Sequence, residues 1–491
     1  MMRVWRVAAR LLVATACVSL TYAQVADWPS ERPPAPLAAR EVNFPPFSVR
    51  TLTNGLEVVA VAHHEQPAVT MRLLVRVGAA QDPDGRAGLA GQVAHLLDQG
   101  TTSRSAQEIA DQIDSIGGAL GTGSGSDLTS ISAVVMKDSF AVAMDLVGDV
   151  VRNPAFAPDE IDRQLEQAIS SLQVSQEDPG YVASVLFDRL VYGFHPYGRA
   201  GGSSESLTRI TRDDLRTFHE QYFVPNNMIL AIVGDVVADE AFAAAERVFG
   251  AWPRQDVPAW TPVDPPAPTR RVVVVDKPDA VQTEIRVGQL AIPRKHRDYL
   301  PFDVAVKILG GEGANRLHRV LRSERGLTYG AEADTQALKF AGSFVAETNT
   351  RTETTAETLR LAVDEFAKIQ RQPVFPRELA DVQAYLMGSF PLTIETPNDI
   401  ATTVINAVFY ELPIEEVGTY RERVRRVTPA DIQRVARLYI QPDRLSIVLV
   451  GDAAAFSAQL RAAGFPEFDV IPIAQLDLTS PTLRKARGQA P

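Results

Sequence analysis

Sulfur chemistry is almost missing from this 491-residue chain: its one cysteine is Cys17. A single thiol near the N-terminus leaves no intrachain disulfide and no cysteine metal site. Basic residues are in deficit, with 49 Lys and Arg against 60 Asp and Glu, a net charge of −11. That balance is the reverse of a nucleic-acid footprint and favours solubility. Past the N-terminus no apolar run approaches the ~20 residues that span a bilayer. Histidine is scarce as well. None of the seven has a second histidine four residues away, the spacing that sets two imidazoles on one helix face.

What is present begins with a leader. Arg3, Arg6 and Arg10 precede an apolar stretch from Leu11 to Leu20, with small residues before Gln24. Residues 1–23 therefore read as an export signal, too short to be a membrane span. Its removal takes the charge from −11 to −14. Lipid attachment at Cys17 is disfavoured, because Ala14 and not a large aliphatic lies three residues upstream. The expectation is an exported, periplasmic protein with no membrane span. Residues 24–45 are proline-rich and read as an arm.

A gapless offset of 217 residues relates two segments: Thr211, Asp214, Tyr222, Pro225 and Val233-Gly234-Asp235 recur as Thr428, Asp431, Tyr439, Pro442 and Val450-Gly451-Asp452. In each, a Thr N-cap opens a helix and an apolar strand (Met228–Val233, Leu445–Val450) runs into Gly-Asp. Pro154-Ala155-Phe156 and Pro373-Val374-Phe375 echo one another too. A period this long denotes a duplicated domain. The domains are placed at 46–250 and 271–470, with the proline-rich segment 251–270 as a semi-rigid linker. Residues 471–491 read as a loosely ordered tail.

Each half mixes strands and helices. Asn54-Gly55 marks a hairpin within Phe47–Val61. Val69, Met71, Leu73, Val75 and Val77 alternate as a half-buried strand, as do Val281, Thr283, Ile285 and Val287. Helical spacing marks Val142–Val151 and Leu359–Ile369. The expected class is α+β: two homologous halves, each a mostly antiparallel sheet faced by helices. Gly117-Gly118, Gly121, Gly123 and Gly125 fail the G-x-G-x-x-G pattern. They read as turns, as does Gly310-Gly311-Glu312-Gly313, which adjoins the Arg322 helix.

The first helix runs through Gly88-Leu89-Ala90-Gly91-Gln92-Val93-Ala94-His95-Leu96-Leu97. It resembles the zinc-binding helix of the pitrilysin and insulinase (inverzincin) metallopeptidases, whose motif is H-x-x-E-H. On that motif Gly91 stands for the first His, Ala94 for the catalytic Glu, and His95 for the second His. The resemblance further implies a Glu ligand about 76 residues on and another Glu seven residues before it. Those positions fall at Ser171 and Gln164, on one face of the helix beginning at Pro158. Of five functional side chains only His95 remains, and a catalytic zinc needs three protein ligands. The metal site reads as erased, with no zinc in this chain. The remaining alternative for His95 is a helix-face or partly buried histidine with a hydrogen-bond partner.

A second motif survives. Leu317, Val320 and Leu321 form the apolar face of a helix that ends at Gly326, and Tyr329 is expected to begin a strand. The seven-residue spacing of Arg322 and Tyr329 resembles the family's substrate-gripping pair. A guanidinium fork suits peptide carbonyls, and a phenol can donate to a carbonyl as charge develops. The structural alternative has Arg322 complementing the helix dipole and Tyr329 packed in the sheet, with Arg319 and Arg325 as competing arginines.

The resemblance covers nearly all of the mature chain. It implies two halves forming a clamshell, and the non-catalytic, substrate-gripping subunit of a heterodimeric zinc metalloendopeptidase, whose H-x-x-E-H-containing partner carries the zinc while both chains enclose a peptide chamber. Two other functions stay open: a structural or peptide-binding homologue without a peptidase partner, and a self-sufficient metalloendopeptidase with unusual ligands.

Overall fold

The computed structural model describes residues 44–199, 201–311 and 315–486. The leader, Cys17 and most of the proline-rich arm lie outside them. The first half holds β1 (Phe47–Thr51), β2 (Glu57–Ala62), β3 (Ala68–Val75), β4 (Ala119–Ser124), β5 (Thr129–Met136) and β6 (Met228–Gly234) in one sheet of order β1-β2-β6-β3-β5-β4. The second holds β7 (Arg271–Asp276), β8 (Gln282–Ala291), β9 (Ala331–Ala337), β10 (Gly342–Arg351), β11 (Ser446–Gly451) and β12 (Asp469–Pro472) in the order β12-β7-β11-β8-β10-β9. In the first sheet the parallel pair β2–β6, and in the second the parallel pairs β12–β7 and β7–β11, are followed by antiparallel neighbours out to β4 or β9. The repeated strands β6 and β11 thus hold equivalent places.

The principal helices of the first half are α1 (Leu89–Leu96), α2 (Ala106–Ser115), α3 (Phe140–Arg152), α4 (Pro158–Glu177), α5 (Pro179–Tyr192), α6 (Arg212–Tyr222) and α7 (Ala238–Phe249). Those of the second are α8 (Tyr299–Gly310), α9 (Thr355–Arg371), α10 (Pro376–Ser389), α11 (Pro397–Phe409), α12 (Pro429–Tyr439) and α13 (Ala453–Ala462). The duplicated Thr caps act as the spacing predicts. Thr211 Oγ1 accepts from Asp214 N at 3.2 Å while Asp214 Oδ2 accepts from Thr211 N at 2.8 Å. Thr428 and Asp431 repeat this at 3.2 and 3.0 Å. Such a reciprocal box satisfies two orphan amides, and losing an N-cap costs about 1 kcal/mol.

The β1–β2 hairpin turns at Asn54-Gly55, with Gly55 at φ +91°. Asn54 is buried, and its Nδ2 donates to the carbonyls of Phe249 and Trp252 at 2.7 and 3.0 Å. The turn amide thereby fastens the end of α7 and the first linker residues to the sheet.

Both faces of each sheet are covered, not one. The alternating Val69, Met71, Leu73 and Val75 point into a core shared with α1, α3 and α7. The other face of that sheet, at β3 and β6, is covered by α11 from the second half. In return α5 from the first half lies over β8 and β11, where Val182, Leu186 and Phe187 join Val273, Val448 and Val450 in a mixed core. The sequence pattern leaves this exchange unseen, because a helix's apolar stripe does not say which sheet it covers.

The hairpin tips next to the two sheet edges also meet. Asp127, between β4 and β5, accepts from Tyr197 Oη at 2.5 Å and from Lys339 N, between β9 and β10, at 3.0 Å. Three expectations are corrected here. Gly121 and Gly123 lie inside the edge strand β4, where an open outer edge tolerates residues without side chains. Residues 471–486 are not loose: β12 runs to Pro472 in register with β7, and Leu483 is buried. Tyr329 precedes the strand, which begins at Ala331.

Candidate functional site

Helix α1 is started by Asp82. Its Oδ2 accepts from Gly88 N at 2.7 Å and its Oδ1 from Ala90 N at 2.8 Å. Burial pushes this carboxyl up to about 6, against the pull of those amides and of Arg199. Gly88 is required, since it sits at φ +98° and a Cβ there would meet Leu207 at 2.7 Å. Gly91 is different: a Cβ built on it meets nothing within 4 Å. Packing therefore does not impose glycine at that position. Ala94 is fully buried, whereas His95 is exposed in the last turn, not a partly buried histidine.

Helix α4 packs against α1 and carries Gln164, half-buried, and Ser171, exposed. The side chains at the five positions on these two helices are a hydrogen, a methyl, one imidazole, an amide and a hydroxyl. One nitrogen ligand with no carboxylate or second imidazole does not fit zinc. No group of three His, Cys, Asp or Glu suited to a metal occurs among the described residues. Two other histidines are engaged with the backbone: His219 Nε2 bonds Val151 O at 2.8 Å, and His195 Nδ1 accepts from Tyr197 N at 3.1 Å.

Arg322 and Tyr329 form a second locus, beside β9. The helix leading to them is a π-helix, His318–Glu324, a wide turn often found at functional sites. Gly326 closes it at φ +62°, with Gly326 N donating to Arg322 O at 3.0 Å and Leu327 N to Leu321 O at 2.8 Å. Arg322 Nη1 donates to Thr328 O at 3.0 Å, and its guanidinium carbon lies 4.8 Å from the centre of the Tyr329 ring. Tyr329 is 81% exposed, so it does not pack in the sheet. The competing arginines are engaged elsewhere, Arg319 with Glu324 at 3.6 Å and Arg325 with Glu357 at 3.5 Å.

Sequence reasoning missed what holds this loop. Thr348 Oγ1, on β10, donates to Gly330 O at 2.8 Å, and Thr350 Oγ1 donates to Leu327 O at 2.7 Å. Thr328 Oγ1 bonds Gly330 O at 2.7 Å and accepts from Gly330 N at 3.1 Å, and this local ring delays the strand. The only sequence signal was the run of threonines at alternate positions in β10. Arg322 and Tyr329 belong to the second sheet and the five α1 and α4 positions to the first. No hydrogen bond, ion pair or ring contact joins the two sets among the described residues.

Two matched sheets with an exchanged helix pair describe a duplicated fold. Residues 57–199 match the family "Insulinase (Peptidase family M16)" and residues 209–386 match "Peptidase M16 inactive domain". The chain is 26% identical over 420 residues to an uncharacterized zinc protease of Mycobacterium bovis, covering 84% of this chain and 95% of that protein. It superposes on a peptidase M16 inactive domain from Pseudomonas fluorescens with TM-score 0.79 and 28% identity, over 83% of this chain and 98% of that one. A protease from Helicobacter pylori shares the fold at TM-score 0.78 and 22% identity, over 83% and 99% of the chains. The chain belongs to peptidase family M16, the insulinase family. No helix among the described residues is long and apolar enough to cross a membrane.

Proposed function

We propose that this chain is the non-catalytic, substrate-gripping subunit of a two-chain zinc metallopeptidase, exported with its leader to the periplasm. The observation that carries the proposal is the Arg322–Tyr329 contact, with an exposed phenol, in a chain whose α1 and α4 positions offer one imidazole. A homologous partner with H-x-x-E-H would supply the zinc and the water-activating Glu. This chain's own part is to bind and orient. Arg322 is anchored through Nη1 to Thr328 O, which leaves the rest of its planar fork to meet peptide carbonyls. Tyr329 Oη donates to a carbonyl oxygen on which charge develops. The threonine bonds from β10 fix the loop and hold the pair in one geometry.

Glycine-rich β4, at the free edge of the first sheet, supports a peptide-binding role. Among the described residues it pairs only with β5, and Cβ atoms at Gly121 and Gly123 would meet nothing. Such an edge accepts an extended peptide as an added strand. The test is reconstitution. Each chain is assayed alone and together against a quenched fluorescent peptide, with the partner drawn from a neighbouring reading frame that encodes H-x-x-E-H. Activity only in the mixture is expected. Full activity of the partner alone, unchanged by this chain, would overturn the proposal.

A further inference from the structure

We infer that a cavity of about 540 Å³ beside the start of β4 is a pocket for a lysine or arginine side chain of a bound peptide. This rests on the proposed peptide-gripping function and names its substrate class. The cavity lies between the end of α1, helix α2 and residues 118–120. Ile109 and Ile113 are buried in its wall and Leu120 is half-buried, while Asp98 and Asp114 also line it. An apolar wall with carboxylates suits a side chain that has an aliphatic stem and a cationic head. A peptide added to β4 would run past Leu120 and present alternate side chains to this side of the sheet.

Charge complementarity is specific here. Neither Asp98 nor Asp114 forms an ion pair among the described residues, and Asp98 accepts only from Gln99 Nε2 at 2.6 Å. The nearby cations are already engaged. Arg163, which reaches Gln99, is held by Glu160 at 2.7 Å, and Arg104 is held by Asp149.

The duplication gives an independent argument. Helix α2 and the π-helix each lead into an edge strand, and each closes on a left-handed glycine, Gly117 at φ +63° and Gly326 at φ +62°. Gly117 N donates to Asp114 O at 3.0 Å, as Gly326 N donates to Arg322 O at 3.0 Å. Gly118 N donates to Ile113 O as Leu327 N donates to Leu321 O. Asp114 is therefore the counterpart of Arg322. The same helix end carries a cation where peptide carbonyls are to be gripped and an anion where a cavity opens.

The test measures binding of the purified chain to three fluorescein-labelled, otherwise uncharged extended peptides that differ at one central residue: lysine, norleucine or glutamate. The lysine peptide should bind about tenfold tighter than the norleucine peptide, as one charge-assisted hydrogen bond gives. Asp98→Asn with Asp114→Asn should abolish that preference and leave norleucine binding unchanged. Asp111→Asn, on α2 outside the cavity, should change nothing. Absence of a lysine preference, or its survival in the double variant, overturns the pocket while peptide binding stands. Failure of all three peptides to bind overturns both the pocket and the peptide-gripping function.

Discussion

Arg72 and Arg286 occupy one register position in the two sheets. Arg72 lies opposite Ala231 of β6, and Arg286 lies opposite Val448 of β11; these partners are separated by the 217-residue offset of the duplication. Each arginine reaches away from its own core to the helix lent by the other half. Arg72 donates to Thr402 of α11, and Arg286 Nε donates to Ser184 of α5 at 3.3 Å. The two contacts are the polar counterpart of the helix exchange.

Arg286 carries the heavier load. It is buried beside Glu284 at 3.4 Å and Glu347 at 3.2 Å, with Asp188 of α5 near Glu347. Arg286→Met leaves these carboxylates uncompensated, and removal of one partner from a buried pair costs about 3–5 kcal/mol. Because Glu347 is partly exposed, a loss of about 2–3 kcal/mol is expected in urea unfolding. A change below about 0.5 kcal/mol, as at ordinary surface sites, would show that solvent already screens the cluster.

Asp188 should make stability depend on pH. Burial, and then the charge of Glu347, push its carboxyl up to about 7 from 3.8. Between those values the folded chain holds a proton that the unfolded chain has released, so stability falls as pH rises through the window. Asp188→Asn removes this penalty. The variant should match the parent near pH 4 and exceed it at pH 8 by up to about 4 kcal/mol, at 1.36 kcal/mol per unit. Thermal melts at the two pH values decide the matter, and equal stability at pH 8 would contradict the assigned environment.

Elemental analysis of the purified chain should find no stoichiometric zinc, because His95 is the sole imidazole or carboxylate among the five positions. About one tightly held zinc per chain, lost in His95→Ala, would show that unrecognised ligands complete a site.

In a reconstituted pair, Tyr329→Phe removes a hydroxyl and little volume. It should lower kcat by about 10²–10³-fold, as loss of a single donor to developing charge does in acyl transfer, without dissociating the pair. Arg322→Ala should also raise KM, since the guanidinium meets the ground-state peptide. A Tyr329→Phe pair that assembles and cleaves at the parental rate would reduce the tyrosine to a surface residue.

The sequence by itself determined what local chemistry controls. Thr211 and Thr428 cap helices because an adjacent Asp satisfies the amides, Asn54-Gly55 turns because Gly55 takes a left-handed φ, and the 217-residue offset places β6 and β11 alike. It also gave the chemistry available at the positions the family resemblance picks out, no donor atom on Gly91 or Ala94 and no carboxylate on Gln164 or Ser171, which needs no coordinates. Only the tertiary structure decided that α5 and α11 change places, because apolar stripes carry no address. It alone put Tyr329 outside its strand, through hydroxyl bonds of Thr328 and Thr348 that compete with the ladder. It alone set Asp114 opposite Arg322 in the duplicated plan: the π-helix shifts the register of that helix end, so no constant sequence offset aligns the two.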